Sequence, residues 1–144
     1  MLKCPFCTMF DNEERVIIKN DFAWAFPTNI PVVPGHVLIS PIRHVATFDE
    51  LTNEERTAIF ELEFKIKSAL IKLFSAEGFN YGWNEGKLSG QSVPHFHLHV
   101  LPRKEGDTGI LEYEPRKFLY RPGERETTPE EELKEITEII RKAL

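Results

Sequence analysis

Three histidines at every second position are the residues best able to do chemistry in this 144-residue chain: His95, His97 and His99, in the run His95-Phe96-His97-Leu98-His99-Val100. In an extended strand, residues i and i+2 share one face and stand about 6.5 Å apart. The spacing predicts three imidazoles on one face, with Phe96, Leu98 and Val100 turned to the core. Such a row can bind a metal, cradle a polyanion or supply a nucleophile. A plain solvent-facing strand would carry Lys, Glu, Thr or Ser instead, and an all-histidine zinc site would draw a ligand from another element. Directly upstream, Gly90-Gln91-Ser92-Val93 favours phosphate chemistry. Glycine lets the backbone approach a ligand closely. Gln91 and Ser92 add donors, and the backbone N–H groups could form an anion-binding nest. Donors for non-bridging oxygens beside a nitrogen nucleophile are what phosphoryl transfer requires.

The chain has two cysteines, Cys4 and Cys7, in Cys4-Pro5-Phe6-Cys7. That is too few for a disulfide framework. In a reducing compartment the spacing points to metal binding or redox chemistry. No strand precedes Cys4, which weighs against a thioredoxin-like site. Structural zinc is the leading reading, with an inert pair or a redox pair as alternatives.

The elements that must position these residues follow from hydrophobic periodicity. Residues 15–19 and 22–26 are short β-rich runs split by Asn20-Asp21, the pattern of a hairpin. Residues 28–35 carry two prolines and a glycine and read as a loop, and 36–41 read as a buried third strand. Thr52 is the expected N-cap of a long helix, with Glu55 completing a capping box. Ile59, Leu62, Phe64, Ile66, Leu70, Ile71, Leu73 and Phe74 form its apolar stripe, and Gly78 stands just past its end. Residues 79–83 predict a fourth strand, 84–90 a polar loop, and 95–101 a fifth strand. Pro94 must sit at a strand start or an unpaired position. Residues 104–128 read as polar and irregular. A last helix is expected from near Pro129, with Glu130, Glu131 and Glu132 in its first turn and Arg141 and Lys142 in its last, as the helix dipole favours. The expected class is α+β: an antiparallel sheet of about five strands, one long helix packed on it, and a C-terminal helix.

Composition excludes several classes. An apolar fraction of 41% and a charged fraction of 28% suit a soluble globular domain. The net charge of −5 gives no global attraction to nucleic acid. No apolar run approaches the ~18 residues needed to span a bilayer. The first residues lack the apolar stretch of a signal peptide, so a cytoplasmic location is the default expectation.

The motifs together resemble one family. Gly90 to Arg103 (GQSVPHFHLHVLPR) is similar to the signature of the histidine-triad, or HIT, superfamily. Pro34-Gly35-His36-Val37-Leu38-Ile39-Ser40-Pro41 with Arg43-His44 looks like that family's first block. HVLPRKEGD resembles the Fhit branch, and the paired cysteines resemble bacterial members of the Hint type. The resemblance implies a single HIT domain over 1–144, with its motif-bearing core at about 16–103, an N-terminal CxxC and a tail at 104–144. It implies a nucleotide hydrolase or nucleotidyltransferase acting at the α-phosphate of a purine nucleotide, such as a dinucleoside polyphosphate or a phosphoramidate, with no catalytic metal.

In that reading His97 is the nucleophile, His99 orients the phosphate, and Ser92, Gln91, Gly90 and Asn84 contact phosphate or leaving group. His36 stands behind the triad. Cys4, Cys7, His44 and His95 form a closed structural zinc site. The family's ribose-binding Asp or Asn falls at Thr28 here, with Asn29 next. Phe22, Trp24, Phe26 and Ile39 are candidates for the base cleft, with plain core as their other reading. The family is usually a homodimer, and Leu133, Ile136, Ile139 and Ile140 could face the partner or pack on their own core. Two rival readings are a nucleotide-binding module with little turnover and a zinc-stabilised interaction protein.

Overall fold

The computed structural model describes residues 4–107 and 127–144. Most of the stretch expected to be polar and irregular therefore lies outside the described residues. Five antiparallel strands form one sheet: β1 (Ile18–Lys19), β2 (Ala23–Pro27), β3 (Val37–Pro41), β4 (Gly78–Gly82) and β5 (Leu98–Arg103), in the order β1-β2-β3-β5-β4. Helices α1 (Phe6–Met9), α2 (Asn53–Phe74) and α3 (Glu130–Lys142) complete the α+β arrangement.

Every residue of β2 and β3 is buried. A sheet covered on both faces reads as a continuous apolar run rather than as an alternation. One face carries Ala23, Ala25, Val37, Ile39, Leu98 and Val100 against α2. The opposite face carries Trp24, Phe26 and Leu38 against Phe6 and Val16.

Helix α2 begins as its sequence dictates. The Thr52 hydroxyl accepts from the Glu55 N–H at 3.1 Å, and the Glu55 carboxylate accepts from the Thr52 N–H at 2.9 Å. Glu55 also takes two bonds from the Arg43 guanidinium, at 2.7 and 3.0 Å. Ala58, Ile59, Leu62, Ile66, Ala69 and Leu70 are the buried stripe. Phe64, Ile71 and Leu73 are exposed, because a 3.6-residue turn carries them off the inward face. The helix stops at Ser75, which adopts left-handed backbone, and Gly78 opens β4 instead of ending the helix. No helix among the described residues is long and apolar enough to cross a membrane.

One departure from the expected elements, and one choice the sequence left open, bear on the site. First, β5 begins at Leu98, not at His95. Pro41 and Pro94 lack N–H groups, so residues 93–97 leave the ladder and satisfy their backbone elsewhere. The Phe96 N–H reaches the Val45 carbonyl, and the buried Ser40 hydroxyl donates to the Phe96 carbonyl at 2.7 Å. Second, α3 lies on its own molecule. Leu133, Thr137 and Ile140 are buried, Ile136 packs on the core beneath α2, and Ile139 alone of the proposed interface residues is exposed. The Arg141 guanidinium donates to the Glu13 carbonyl at 2.6 Å and to the Val16 carbonyl, and Lys134 pairs with Glu14 at 3.1 Å. These contacts clamp α3 to the segment before β1.

Candidate active site and metal centre

The alternation of the histidine run survives the late start of β5. Phe96, Leu98 and Val100 enter the core under α2, and His97 and His99 open into a cleft on the other face. The two rings stand 5.0 Å apart. His97 is buried, and its Nδ1 lies 2.7 Å from the His95 carbonyl. A carbonyl can only accept, so Nδ1 carries the proton and Nε2 keeps its lone pair. Burial pushes the His97 imidazole below its usual pKa, against a smaller pull from that hydrogen bond. The ring is therefore neutral at pH 7.

A second chain of bonds fixes His99. The Val32 N–H donates to His36 Nδ1 at 3.1 Å, which puts the proton of a neutral His36 on Nε2. His36 Nε2 lies 2.9 Å from His99 Nδ1 and donates to it. The His99 proton is thereby left on Nε2. One imidazole thus offers a nitrogen lone pair and its neighbour a proton donor, which is the pairing a phosphoryl group needs.

Gly90, Ser92 and Asn84 line the same cleft, with Asn84 buried and Gly90 at φ +97°. That backbone region favours glycine. Thr28 and Asn29 line its far side. The Thr28 hydroxyl accepts from the Ile30 N–H at 3.2 Å, and the Asn29 carbonyl accepts from the Thr128 N–H at 2.8 Å. Gln91 does not line the cleft: its amide donates to the Ala46 carbonyl at 2.8 Å and accepts from the Gly86 N–H at 2.9 Å. It shapes the loop that carries Gly90 and Ser92.

The apolar part of the cleft is built differently from the sequence expectation. Phe26 lines it, joined by Phe6, Met9, Leu38 and Val93. Trp24 stacks beneath Phe26 at 3.9 Å and is fully buried. Ile39 points to the α2 side and Phe22 is exposed elsewhere. Period-2 alternation separates Ile39 from Leu38 and could have found the latter. Phe6 carried no such signal, since α1 is a single turn placed by its contacts. Arg15 and Glu130 also reach the cleft and were not expected there.

A separate cluster lies behind the triad. The ligand atoms of Cys4, Cys7, His44 and His95 all fall within 4.8 Å of one another. His95 Nδ1 stands 3.4 Å from Cys4 Sγ, 3.5 Å from Cys7 Sγ and 3.3 Å from His44 Nδ1, and Cys7 Sγ is 3.2 Å from His44 Nδ1. His95 Nε2 donates to the Pro41 carbonyl at 2.8 Å, so its Nδ1 presents a lone pair to the other three groups. Zinc bonds of about 2.3 Å to sulfur and about 2.0 Å to nitrogen give tetrahedral edges near these separations. Burial holds the His95 imidazole below its usual pKa, in the neutral form a metal requires. The donor set fits a closed four-coordinate metal site, with the second nitrogen of His95 anchored to backbone as such sites favour.

Comparison with known proteins agrees with this geometry. Residues 10–106 match the HIT domain. The chain is 36% identical over 107 residues to an asymmetrical bis(5'-nucleosyl)-tetraphosphatase of Schizosaccharomyces pombe, a match spanning 74% of this chain and 59% of that protein. It is 32% identical over 130 residues to a bis(5'-adenosyl)-triphosphatase of Dictyostelium discoideum, covering 88% and 84% of the two chains. A Hit-like protein involved in cell-cycle regulation from Bartonella henselae superposes with a TM-score of 0.73 at 29% identity, over 90% of this chain and 85% of that one. The triad run, the sheet that presents it and these matches together place the chain in the HIT-domain family.

Proposed function

We propose that this protein hydrolyses a phosphoanhydride or phosphoramidate bond at the α-phosphate of a nucleotide, through a nucleotidyl-histidine on His97. The observation that carries the reading is the hydrogen bond from His97 Nδ1 to the His95 carbonyl. It leaves the Nε2 lone pair for the cleft in a ring that burial keeps neutral. Nε2 attacks the α-phosphorus in line, a P–N bond forms, and the bond to the leaving group breaks. The His99 Nε2 proton, Ser92 and the loop backbone near Gly90 stabilise the oxygens as charge spreads over them. Water then cleaves the P–N bond and restores His97. A phosphate or sugar phosphate in place of water would make the same chemistry a nucleotidyl transfer. The hydrolase names of the relatives support this class, and dinucleoside polyphosphates lead the substrates to try.

Cys4, Cys7, His44 and His95 would hold structural zinc. The ion would tie the N-terminus to the segment preceding β5 and leave no open position for chemistry. The functional unit is read as a homodimer. Its contact is assigned to β4, an edge strand among the described residues, with its exposed Tyr81, and to the exposed Phe60 and Phe64 of α2, not to α3.

The test is a substrate panel with mass spectrometry of the His97 peptide after rapid quench. The wild type is expected to carry a nucleotidyl adduct on His97. His97→Asn is expected to lose turnover by about a thousandfold or more while remaining folded. Near-native turnover in His97→Asn would overturn the nucleophile assignment.

A further inference from the structure

Arg15 and Glu130 form an ion pair in the wall of the cleft, away from the histidines. The Arg15 side chain is only 6% exposed, and its terminal Nη1 donates to the Glu130 carboxylate at 3.1 and 3.4 Å. Its Nε is buried without a partner among the described residues. Burying a guanidinium is costly, and one largely exposed carboxylate does not satisfy its five N–H groups. The pair is not a loose surface contact. Arg141 and Lys134 fasten α3 to residues 13, 14 and 16 on either side of Arg15.

Its place across the sheet indicates what it meets. His99 is paired with Leu38, and Leu38 with Phe26. Arg15 lies on the segment entering β1, one strand further. Three strand spacings of about 4.8 Å separate it from the triad strand. That span holds a nucleotide between its α-phosphorus and the far edge of its base once a side chain reaches in from each end. Between the two ends lie the apolar groups Phe6, Phe26 and Leu38, suited to the flat faces of a base and offering no hydrogen bonds to its edge. The hydrogen-bonding groups Arg15 and Glu130 stand where that edge would fall.

We propose that Arg15 and Glu130 read the base edge and make this protein prefer guanine over adenine nucleotides. This rests on the nucleotide reading given above. Guanine presents two adjacent donors, N1–H and the N2 amino group, which match a carboxylate. Its O6 is an acceptor beside them, which matches a guanidinium N–H. Adenine offers one amino donor beside an acceptor at N1, and that acceptor would face a carboxylate oxygen. Arg15 holds the Glu130 carboxylate in place through Nη1, and its remaining donors take O6.

The experiment uses the full chain and titrates guanosine, inosine and adenosine monophosphates by calorimetry. Turnover of the diguanosine and diadenosine tetraphosphates is measured alongside. The wild type is expected to bind the guanosine nucleotide about tenfold or more tighter than the adenosine one, with inosine between because it lacks N2. Glu130→Gln, at an exposed position, is expected to bring the guanine-to-adenine ratio near one in both binding and kcat/KM. Arg15→Met is expected to do the same, and circular dichroism separates a fold defect from a change of preference. Equal binding of both bases, or a ratio that Glu130→Gln leaves unchanged, overturns the proposal while the nucleotide reading stands. A chain that neither binds nor turns over any nucleotide fails at the earlier reading instead.

Discussion

At His97, His99 and His36 the decisive matter is where each proton sits, and main-chain groups decide it for two of the three rings. The His95 carbonyl fixes His97, and the Val32 N–H fixes His36, which then fixes His99. Replacing His36 by Phe removes the last link without touching His97, the proposed nucleophile. The expected result is a fall in kcat of about tenfold to a hundredfold with the His97 adduct still detectable by mass spectrometry. An unchanged kcat would show that His99 needs no such support. Glu55 makes a different single-residue prediction. Hydrogen bonding from Arg43 holds its carboxyl below the ordinary value of 4.5, with a further pull from Thr52, against the opposing effect of burial. A carboxyl depressed in the folded state stabilises fully above its unfolded pKa and loses that contribution as pH falls through the folded one. Thermal melts below pH 4.5 should therefore show a shallower acid decline in Glu55→Gln than in the wild type. The sequence made the histidine face legible, because alternation at period 2 depends only on strand geometry. It could not show that the Gln91 amide ties down its own loop, or that Arg15 turns into the cleft. Both depend on which distant backbone comes near.

Among the elements, α1 shows how much a single turn can matter when its ends are pinned. Phe6 stands between the two cysteines and meets the rings of His95 and His97 edge-on, at 5.9 and 5.2 Å. It packs on Phe26 at 5.0 Å and lines the cleft. The wall that would hold a base is thus carried by the turn between the candidate metal ligands Cys4 and Cys7. Cys4→Ser, or removal of metal by a chelator, is expected to lower Tm by about 5 °C or more. KM should rise more than kcat falls, because the His97 ring keeps its Nδ1 bond to the His95 carbonyl and its Nε2 stays turned to the cleft. An equal loss in kcat with KM constant would contradict that division. Elemental analysis is expected to find one zinc per chain. Helix α2 was readable from its capping box and stripe, since both are local. The start of β5 was not, because the prolines at 41 and 94 and the Ser40 hydroxyl act across the sheet.

On the scale of the whole molecule, β4 is an edge strand among the described residues, and α2 leaves large apolar side chains open. Phe64 is 72% exposed and Phe60 54%. A strand edge and exposed apolar side chains of this kind are ready contacts for another chain. Sedimentation should give a dimer, and Phe64→Asp should shift it to monomer with little loss of folding stability. A wild type that sediments as a monomer at all concentrations would remove that assignment. The apolar stripe of α3 left a partner interface and the chain's own core both open from sequence alone, because amphipathicity records only that a face is covered. It does not record whether the cover belongs to the same chain. The stacked Trp24 gives the molecule an optical handle. One indole is sealed beneath Phe26 at the floor of the cleft, and the other, Trp83, is 39% exposed and stacks on Phe48. Iodide should quench the red-shifted emission of Trp83 and spare the blue component. A ligand settling over Phe26 would then report itself through light from a residue it never touches.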